Sequence, residues 1–423
     1  MQDQLKLVIV GHVDHGKSTL IGRLLYDTDS LPEEKIEELR RTCEELGREM
    51  EFAFVMDHLE EEQSQGITID TAQIFFRTGR RRYVIIDAPG HKEFVKNMIT
   101  GASQAEAALL IVDAGDGVKE QTRRHACLLR MLGLEQVIAV INKMDLVGHS
   151  GTRFNEVKRE LMTLLSSLGI SPKHTIPISA RHGDNVVWPS DKMPWYEGPT
   201  VLDALDSFVP REPALNRALR FPIQDIYEVK NRRVLVGRVE AGKIRQGEEV
   251  TFLPQEIKAT VRSIEILWKE KTEAEAGESI GITLGELLSI ERGAVACAAG
   301  AKPTITSMIR ANVFWMSNLP FRTGEQLLLR IATQEVPVDI TIEKKTDSAT
   351  FEPIVEHPGT IMETEIAEVS ISTRQPVVVD DFNQVQELGR FVLVRDLDVV
   401  AGGIIACASS TGGKQALPGM FIS

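Results

Sequence analysis

A glycine-rich segment near the start of the chain has the residue types that bind nucleotide phosphates. Gly11, Gly16, Lys17 and Ser18 match the spacing G-x-x-x-x-G-K-S/T, directly after the apolar run LKLVIV and at the start of a helical pattern. Glycines let the backbone turn tightly, so that its N–H groups can point at phosphate oxygens, and a helix N-terminus adds partial positive charge. Lys17 is expected to reach the β- and γ-phosphates, and Ser18 to ligate Mg²⁺. The predicted nucleotide contacts of this loop are Gly11, His12, Val13, Asp14, His15, Gly16, Lys17, Ser18 and Thr19.

A second motif predicts which base the nucleotide carries. Asn142, Lys143 and Asp145 follow the apolar strand VIAVI. The Asp145 carboxylate can accept hydrogen bonds from guanine N1 and the 2-amino group, whereas adenine lacks this pair of donors and would leave the carboxylate unpaired. We expect Asn142 to brace the loop and the Lys143 stem to cover the base. Backbone N–H groups at Ser179 and Ala180 are expected to face guanine O6.

Residues between these two motifs would complete a site for GTP hydrolysis. Asp87, after the strand YVII, can hold Mg²⁺ through water, and the Thr68 hydroxyl can complete the metal's shell. Gly90 can place its N–H on the γ-phosphate and move when that phosphate is lost. His91 is the candidate to orient the attacking water. The predicted catalytic residues are therefore His91, Lys17 and Thr68, the predicted metal ligands are Ser18, Thr68 and Asp87, and the predicted ligands are GTP or GDP with Mg²⁺.

The first half of the chain alternates apolar runs with segments of helical length. Runs at 5–10, 83–88, 107–114 and 137–143 predict buried strands, and segments 17–26, 92–103, 119–133 and 154–168 predict helices. Such alternation predicts a doubly wound, mostly parallel α/β sheet, with ligands bound at the carboxyl ends of its strands. We predict that this α/β P-loop GTPase domain covers residues 1–209.

From about residue 218 the pattern changes to short β-rich segments. Turn-like glycines separate several of them, and no long helical pattern intervenes. Many short strands with regular turns are typical of closed barrels. We therefore predict two β-barrel domains, residues 218–300 and 301–423, after a linker at about 210–217.

The composition excludes several classes of protein. With 423 residues, 43% of them hydrophobic and 26% charged, the chain is not disordered, collagen-like or a disulfide scaffold. A formal net charge of −13 argues against broad nonspecific nucleic-acid binding. The four cysteines are far apart, which suits a reducing compartment. With no membrane-spanning apolar run and no secretory signal, we expect a soluble cytoplasmic protein with neither a membrane nor DNA as partner.

The motifs together resemble those of the translational GTPases, the family of elongation factor Tu and elongation factor 1-alpha. The segments that carry the resemblance are GHVDHGKST, GITID, DAPGHKEFVKNMITGASQAEAALLIVDA and NKMDL, and the likeness covers nearly the whole chain. It implies a GTPase domain with two moving switch segments, at about residues 55–70 and 88–103, followed by two β-barrels.

Finer features are most similar to the GTPase subunit of heterodimeric sulfate adenylyltransferase. These features are residues 183–186, 193–200 and 313–316, the segment RFPIQDIY and the long insertion at 27–57. The likeness implies a regulatory subunit that couples GTP hydrolysis to the synthesis of adenosine 5′-phosphosulfate from ATP and sulfate. Its partner would be a separate catalytic adenylyltransferase subunit, in a heterodimer or a higher assembly.

Other features favour the alternative, an elongation-factor-like GTPase that delivers aminoacyl-tRNA. The P-loop reads VDHGKS, as in translation factors, where the sulfate subunits usually carry VDDGKS. The segment DAPGHKEFVKNM is also closer to elongation factors, and Ser64 stands where an Arg is common. A GTPase-like assembly factor is a third and weaker alternative.

Overall fold

The computed structural model of the chain describes residues 4–45, 52, 54, 73–86, 105–209, 214–229, 232–266, 269–286 and 288–408. The chain forms two compact units, the first running to Pro210 and the second beginning at Arg211. In the part of the chain that the structure describes, buried apolar clusters lie in both units. Among the described residues, no helix combines the length and the apolar character needed to cross a membrane.

The first unit is built on one six-stranded sheet. Its strands are β1 (Gln4–Gly11), β2 (Gln73–Arg77), β3 (Arg82–Ile86), β4 (Ala107–Asp113), β5 (Gln136–Asn142) and β6 (His174–Pro177). Its helices are α1 (Lys17–Asp27), α2 (Glu33–Glu45), α3 (Glu120–Met131), α4 (Gly151–Ser167) and α5 (Val201–Asp206), with a 3₁₀ turn at Met144–Val147. The strand order is β2-β3-β1-β4-β5-β6, in which only the edge strand β2 is antiparallel to its neighbour.

The central strands are continuously apolar because both faces of the sheet are covered. All seven residues of β4 are buried, as are six of the seven in β5. The predicted doubly wound, mostly parallel sheet is thereby confirmed. Strands β1, β4 and β5 end at Gly11, Asp113 and Asn142, which places the predicted phosphate and base motifs at one edge of the sheet. The helix predicted at 92–103 lies outside the described residues.

The second unit contains two closed β-barrels, as predicted. Strands β7 to β15 are Arg220–Val229, Arg232–Arg238, Lys243–Arg245, Glu249–Leu253, Ile257–Ile266, Lys269–Lys271, Glu273–Glu275, Ser279–Leu284 and Val295–Ala298. Six of them close the first barrel in the order β10-β15-β7-β8-β14-β11, because β10 also pairs with β11. We propose the domain limits 1–209, 218–300 and 301–423 for the α/β domain and the two barrels.

The second barrel has longer strands. Strands β16 to β23 are Thr304–Trp315, Phe321–Arg322, Leu327–Ile331, Gln334–Asp347, Thr360–Ile361, Glu365–Val379, Arg390–Arg395 and Asp398–Ala408, and a short helix α6 covers Gln386–Gly389. The barrel closes in the order β16-β21-β19-β18-β22-β23, with β23 pairing back to β16. Apolar residues at alternate positions fill its interior, as closure of a small barrel requires.

A buried arginine ties the two barrels together. Arg220, at the start of β7, places its Nε 2.6 Å from Oδ2 of Asp380, which follows β21. Its guanidinium also donates to the carbonyl oxygens of Leu219 (2.9 Å) and Ala301 (2.8 Å). Only 7% of the Arg220 side chain and 12% of the Asp380 side chain are exposed. Removing the arginine would therefore leave a carboxylate buried without its cation.

We expect Arg220→Ala to lower the free energy of unfolding by about 3–5 kcal/mol, the range for breaking one side of a buried ion pair. The matched control is Arg330→Ala, because Arg330 and Glu335 form an equally short pair (2.6 Å) whose side chains are 40% and 45% exposed. The control substitution should lower the free energy of unfolding by at most about 1 kcal/mol. Urea unfolding followed by circular dichroism measures both values. Equal losses in the two variants would contradict the role of Arg220.

Candidate nucleotide-binding site

In the loop between β1 and α1, the lysine side chain forms hydrogen bonds with backbone carbonyl groups of the same loop. Lys17 is the first residue of α1, and its Nζ donates to the carbonyl oxygens of Gly11 (2.9 Å) and His12 (3.1 Å). Gly16 has a φ of 91°, in the left-handed region that favours glycine, and a Cβ there would lie 2.4 Å from Nδ2 of Asn142. The tight turn therefore depends on glycine for both its conformation and its space.

Asn142 joins the phosphate loop to the base-recognition segments. Its Nδ2 donates to the carbonyl oxygen of His15 (2.9 Å), and its Oδ1 accepts the backbone N–H of Ala180 (2.9 Å). The residue is 2% exposed, so both hydrogen bonds are shielded from water. Three motifs that are far apart in the sequence are thus brought together by one amide.

The carboxylate predicted to bind guanine is oriented by a neighbouring hydroxyl. Ser179 Oγ donates to Oδ1 of Asp145 at 2.6 Å, while Oδ2 of Asp145 lies 3.9 Å from Nε2 of His182. Lys143 adopts a φ of 61°, and its Nζ lies 2.9 Å from Oδ2 of Asp113. Side chains of Asp145 and Lys143 are therefore held by partners on two different segments of the chain.

Asp113, at the end of β4, is a site residue that sequence reasoning missed. Its Oδ1 accepts the backbone N–H groups of Gly115 (2.6 Å) and Asp116 (3.2 Å), and its Oδ2 pairs with Lys143. Burial opposes ionisation of Asp113, but the hydrogen bonds from Lys143 and from these N–H groups outweigh burial and lower its pKa. The sequence signal that could have identified Asp113 is a carboxylate at the end of an apolar strand, because that strand ends at the same edge of the sheet as the phosphate and base motifs.

The two histidines of the phosphate loop point at neighbouring elements. His15 is 1% exposed, and its Nδ1 lies 3.3 Å from the backbone N of Asp113 and 3.4 Å from the carbonyl oxygen of Ile111. Burial lowers the pKa of His15, which favours the neutral ring. His12 Nδ1 forms a hydrogen bond with Oε1 of Gln121 on α3. Both imidazoles thus contact neighbouring elements of the fold, and the nucleotide contacts of His12 and His15 stay predictions.

The remaining predicted contacts are exposed positions, the half-buried Thr19 of α1, and residues outside the described ranges. Val13, Asp14 and Ser18 are exposed on the phosphate loop and the first turn of α1. Mg²⁺ prefers oxygen ligands, and the exposed Ser18 hydroxyl fits that preference. The predicted residues Thr68, Asp87, Gly90 and His91 lie outside the described residues, as do the switch segments at 55–70 and 88–103, so their roles stay predictions.

Comparison with known proteins covers both units of the chain. The family descriptions that match are elongation factor Tu GTP binding domain (residues 2–211), elongation factor Tu domain 2 (232–297) and GTP-eEF1A C-terminal domain-like (308–406). Elongation factor 1-alpha of Pyrococcus furiosus is 43% identical over 95% of this chain and 97% of its own length. The same factor of Thermoplasma acidophilum is 41% identical over 94% and 96%, and that of Nanoarchaeum equitans 42% over 95% and 95%. The first unit accordingly carries a GTP-binding domain, with GTP or GDP and Mg²⁺ as its ligands.

The prediction of a sulfate adenylyltransferase subunit is wrong, because the relatives that cover the chain are elongation factor 1-alpha. Three residues of the segments that supported it make structural contacts. Asn185 donates to the carbonyl oxygen of Pro177 (2.9 Å), Thr200 accepts the N–H of Asp203 (3.2 Å) at the start of α5, and Trp315 is fully buried in the second barrel. Such residues report a shared fold rather than one subunit's chemistry, and the predicted catalytic adenylyltransferase partner is unsupported.

Proposed function

Because the chain belongs to the family of elongation factor Tu and elongation factor 1-alpha, we propose that it hydrolyses GTP while delivering aminoacyl-tRNA to the ribosome. The observation that carries the proposal is 43% identity to an elongation factor 1-alpha over 95% of the chain, across the nucleotide site and both barrels. Since ribosomes are the site of this work, we place the protein in the cytoplasm.

In this proposal the α/β domain uses GTP to time the release of aminoacyl-tRNA. Lys17 and the backbone N–H groups of the phosphate loop would hold the β- and γ-phosphates. Ser18, Thr68 and Asp87 would hold Mg²⁺, which when bound neutralises phosphate charge. His91 would orient the water that attacks the γ-phosphate.

A cavity in the first barrel supports an RNA partner for this acidic chain. The cavity has a volume of about 260 Å³, and its lining includes three arginines and one carboxylate: Arg232, Arg233, Arg262 and Glu286. Guanidinium groups match phosphate geometry and keep their charge at all physiological pH values. The guanidinium of Arg233 donates to the carbonyl oxygens of Leu288 and Ile290. Arg232 and Arg262 are exposed, and they would offer RNA phosphates a local positive charge although the net charge of the chain is −13.

The proposal is tested by protection of the aminoacyl ester bond. The chain loaded with GTP and Mg²⁺ should slow the spontaneous deacylation of aminoacyl-tRNA, and the chain loaded with GDP should not. Arg262→Ala should weaken this protection about tenfold, since a hydrogen bond to a charged group contributes about 1.5–3 kcal/mol, while GTP affinity stays unchanged. Arg330→Ala, on the second barrel, is the matched control.

Two outcomes of the deacylation assay would contradict the proposal. One is protection that is the same with GTP and GDP, because delivery requires release after hydrolysis. The other is an absence of any protection at micromolar concentrations of the GTP-loaded chain. If Arg262→Ala protected aminoacyl-tRNA as well as the wild type does, the cavity would not be part of the RNA-binding surface. The proposed delivery function would not be contradicted by that result.

A further inference from the structure

Two separate segments contact the base in the proposed guanine site, and their spacing must be held. We define the first base loop as residues 142–149 and the second base loop as residues 179–182. Guanine would bind Asp145 on the first loop and lie against the second, whose Ala180 N–H donates to Asn142 and whose Ser179 hydroxyl donates to Asp145. A displacement of about 1 Å between such groups can cost on the order of 100-fold. Specificity for guanine therefore depends on what fixes one loop against the other.

Asp184, just after the second base loop, fixes that loop through its backbone. Its N–H donates to the carbonyl oxygen of Ser179 (3.1 Å), and its own carbonyl oxygen accepts the N–H of Ser179 (3.2 Å). Gly183 also donates to the Ser179 carbonyl, at 2.8 Å. The turn is closed on itself, so the position of Asp184 follows that of Ser179.

The side chain of Asp184 gathers donors from two segments. Its Oδ1 accepts the hydroxyl of Ser190 (2.7 Å), and its Oδ2 lies 3.3 Å from Nζ of Lys192 and 3.5 Å from Nε2 of His149. Only 10% of this side chain is exposed. Burial opposes its ionisation, but the hydrogen bonds from Ser190 and Lys192, with the imidazole of His149 nearby, lower the pKa of Asp184. The carboxylate is therefore charged at neutral pH and needs its donors.

His149 is the last residue of the first base loop and is held on several sides. Its N–H donates to the carbonyl oxygen of Met144 (2.7 Å), and its own carbonyl oxygen accepts the indole N–H of Trp195 (2.9 Å). Its imidazole reaches the Asp184 carboxylate. A displacement of His149 would be transmitted to Asp145 through the 3₁₀ turn Met144–Val147.

We propose that Asp184 is a positioning residue for guanine, because it ties the first base loop to the second through His149. Together with the direct Ser179–Asp145 and Ala180–Asn142 hydrogen bonds, the Asp184–His149 contact then sets where the Asp145 carboxylate stands relative to the second base loop. This inference rests on the proposed binding of guanine by Asp145. It adds a residue that acts through another side chain rather than on the base.

The test is the ratio of affinities for GDP and IDP, measured on the full chain by competition with a fluorescent nucleotide. IDP lacks the 2-amino group that Asp145 is expected to bind, so the ratio reports the placement of Asp145 and cancels any effect on phosphate binding. Asp184→Asn should lower the GDP-over-IDP ratio about tenfold, the effect of one hydrogen bond to a charged group. His149→Ala should do the same, and His149→Gln, whose amide can still donate to Asp184, should keep most of the preference.

Lys192→Ala is the matched control. Lys192 contacts the same carboxylate, but its side chain is 53% exposed and it does not belong to the first base loop. The control should retain the wild-type ratio. The positioning role of Asp184 would be contradicted if Asp184→Asn kept the wild-type GDP-over-IDP ratio, or if Lys192→Ala lowered that ratio equally. Neither result would contradict the binding of guanine by Asp145. A wild-type chain that binds GDP and IDP equally would overturn the guanine assignment as well.

Discussion

Replacing Lys17 with alanine should lower GTP affinity by about 100- to 4,000-fold. The Lys17 ammonium is held by the carbonyl oxygens of Gly11 and His12, on the loop whose N–H groups would surround the phosphates. Without it, the phosphate charge would be bound with no side-chain cation from this loop. Breaking one side of a buried ion pair costs about 3–5 kcal/mol, and each 1.4 kcal/mol is about tenfold in affinity.

Calorimetric titration with GTP and Mg²⁺ measures the loss of affinity, and Lys158→Ala is the control. Lys158 is an exposed lysine of α4 in the same unit, so its removal changes the net charge equally but leaves the loop untouched. Thermal unfolding of both variants checks that the loop is folded, since Lys17 also bonds to two backbone carbonyls. If Lys17→Ala bound GTP with wild-type affinity, Lys17 would not be a phosphate-binding residue.

The parallel sheet could be predicted from sequence because its signal is local. A strand covered on both faces must be apolar at successive positions, and the run predicted at 107–114 is strand Ala107–Asp113 in the structure. Closure of the second barrel has no such signal. It pairs Val313 on β16 with Gly403 on β23, and these residues come from distant parts of the chain. Short strands with regular turns predicted a barrel, but they did not predict the order in which the strands pair.

The same distinction applies to the nucleotide site. Each motif was recognisable in a short window, but the contacts that assemble the motifs are long-range. Asn142 and His15 are 127 positions apart and meet only because β5 and the phosphate loop reach the same sheet edge. Asp113 escaped prediction because its importance comes from Lys143, on another strand end. The spacing of residues within a motif therefore predicts chemistry, whereas the support for that chemistry depends on the fold.

The error about sulfate activation has a related cause. Segments such as 183–200 are distinctive in sequence because they perform local structural tasks, for example the cap that Thr200 provides to α5. The sequence VDHGKS of the phosphate loop was more informative about function, because His15 packs against the end of β4 beside the nucleotide site. Residues next to reacting groups discriminate between functions better than residues that complete a scaffold.

Replacing Asp145 with asparagine should shift the preference between GTP and XTP by about 10⁴-fold in favour of XTP. A site built to hydrogen-bond one group rejects the analogue that lacks it by about 10⁴–10⁵-fold. The carboxylate accepts from guanine N1 and the 2-amino group, whereas an amide N–H would donate to the 2-oxo group of xanthine. Competition of GTP and XTP for a fluorescent nucleotide measures the shift, and Asp191→Asn, at an exposed position, is the control.

The direction of this switch depends on Ser179. Its hydroxyl donates to Oδ1 of Asp145 at 2.6 Å, so the asparagine oxygen should take that place and its amide nitrogen should take the place of Oδ2. In the double variant Asp145→Asn with Ser179→Ala this constraint is lost, and the amide can turn its oxygen to the base instead. The double variant should therefore lose most of the preference for XTP. An undiminished preference for XTP in the double variant would show that Ser179 does not orient residue 145. An unchanged preference for GTP in Asp145→Asn would show that Asp145 does not recognise the base.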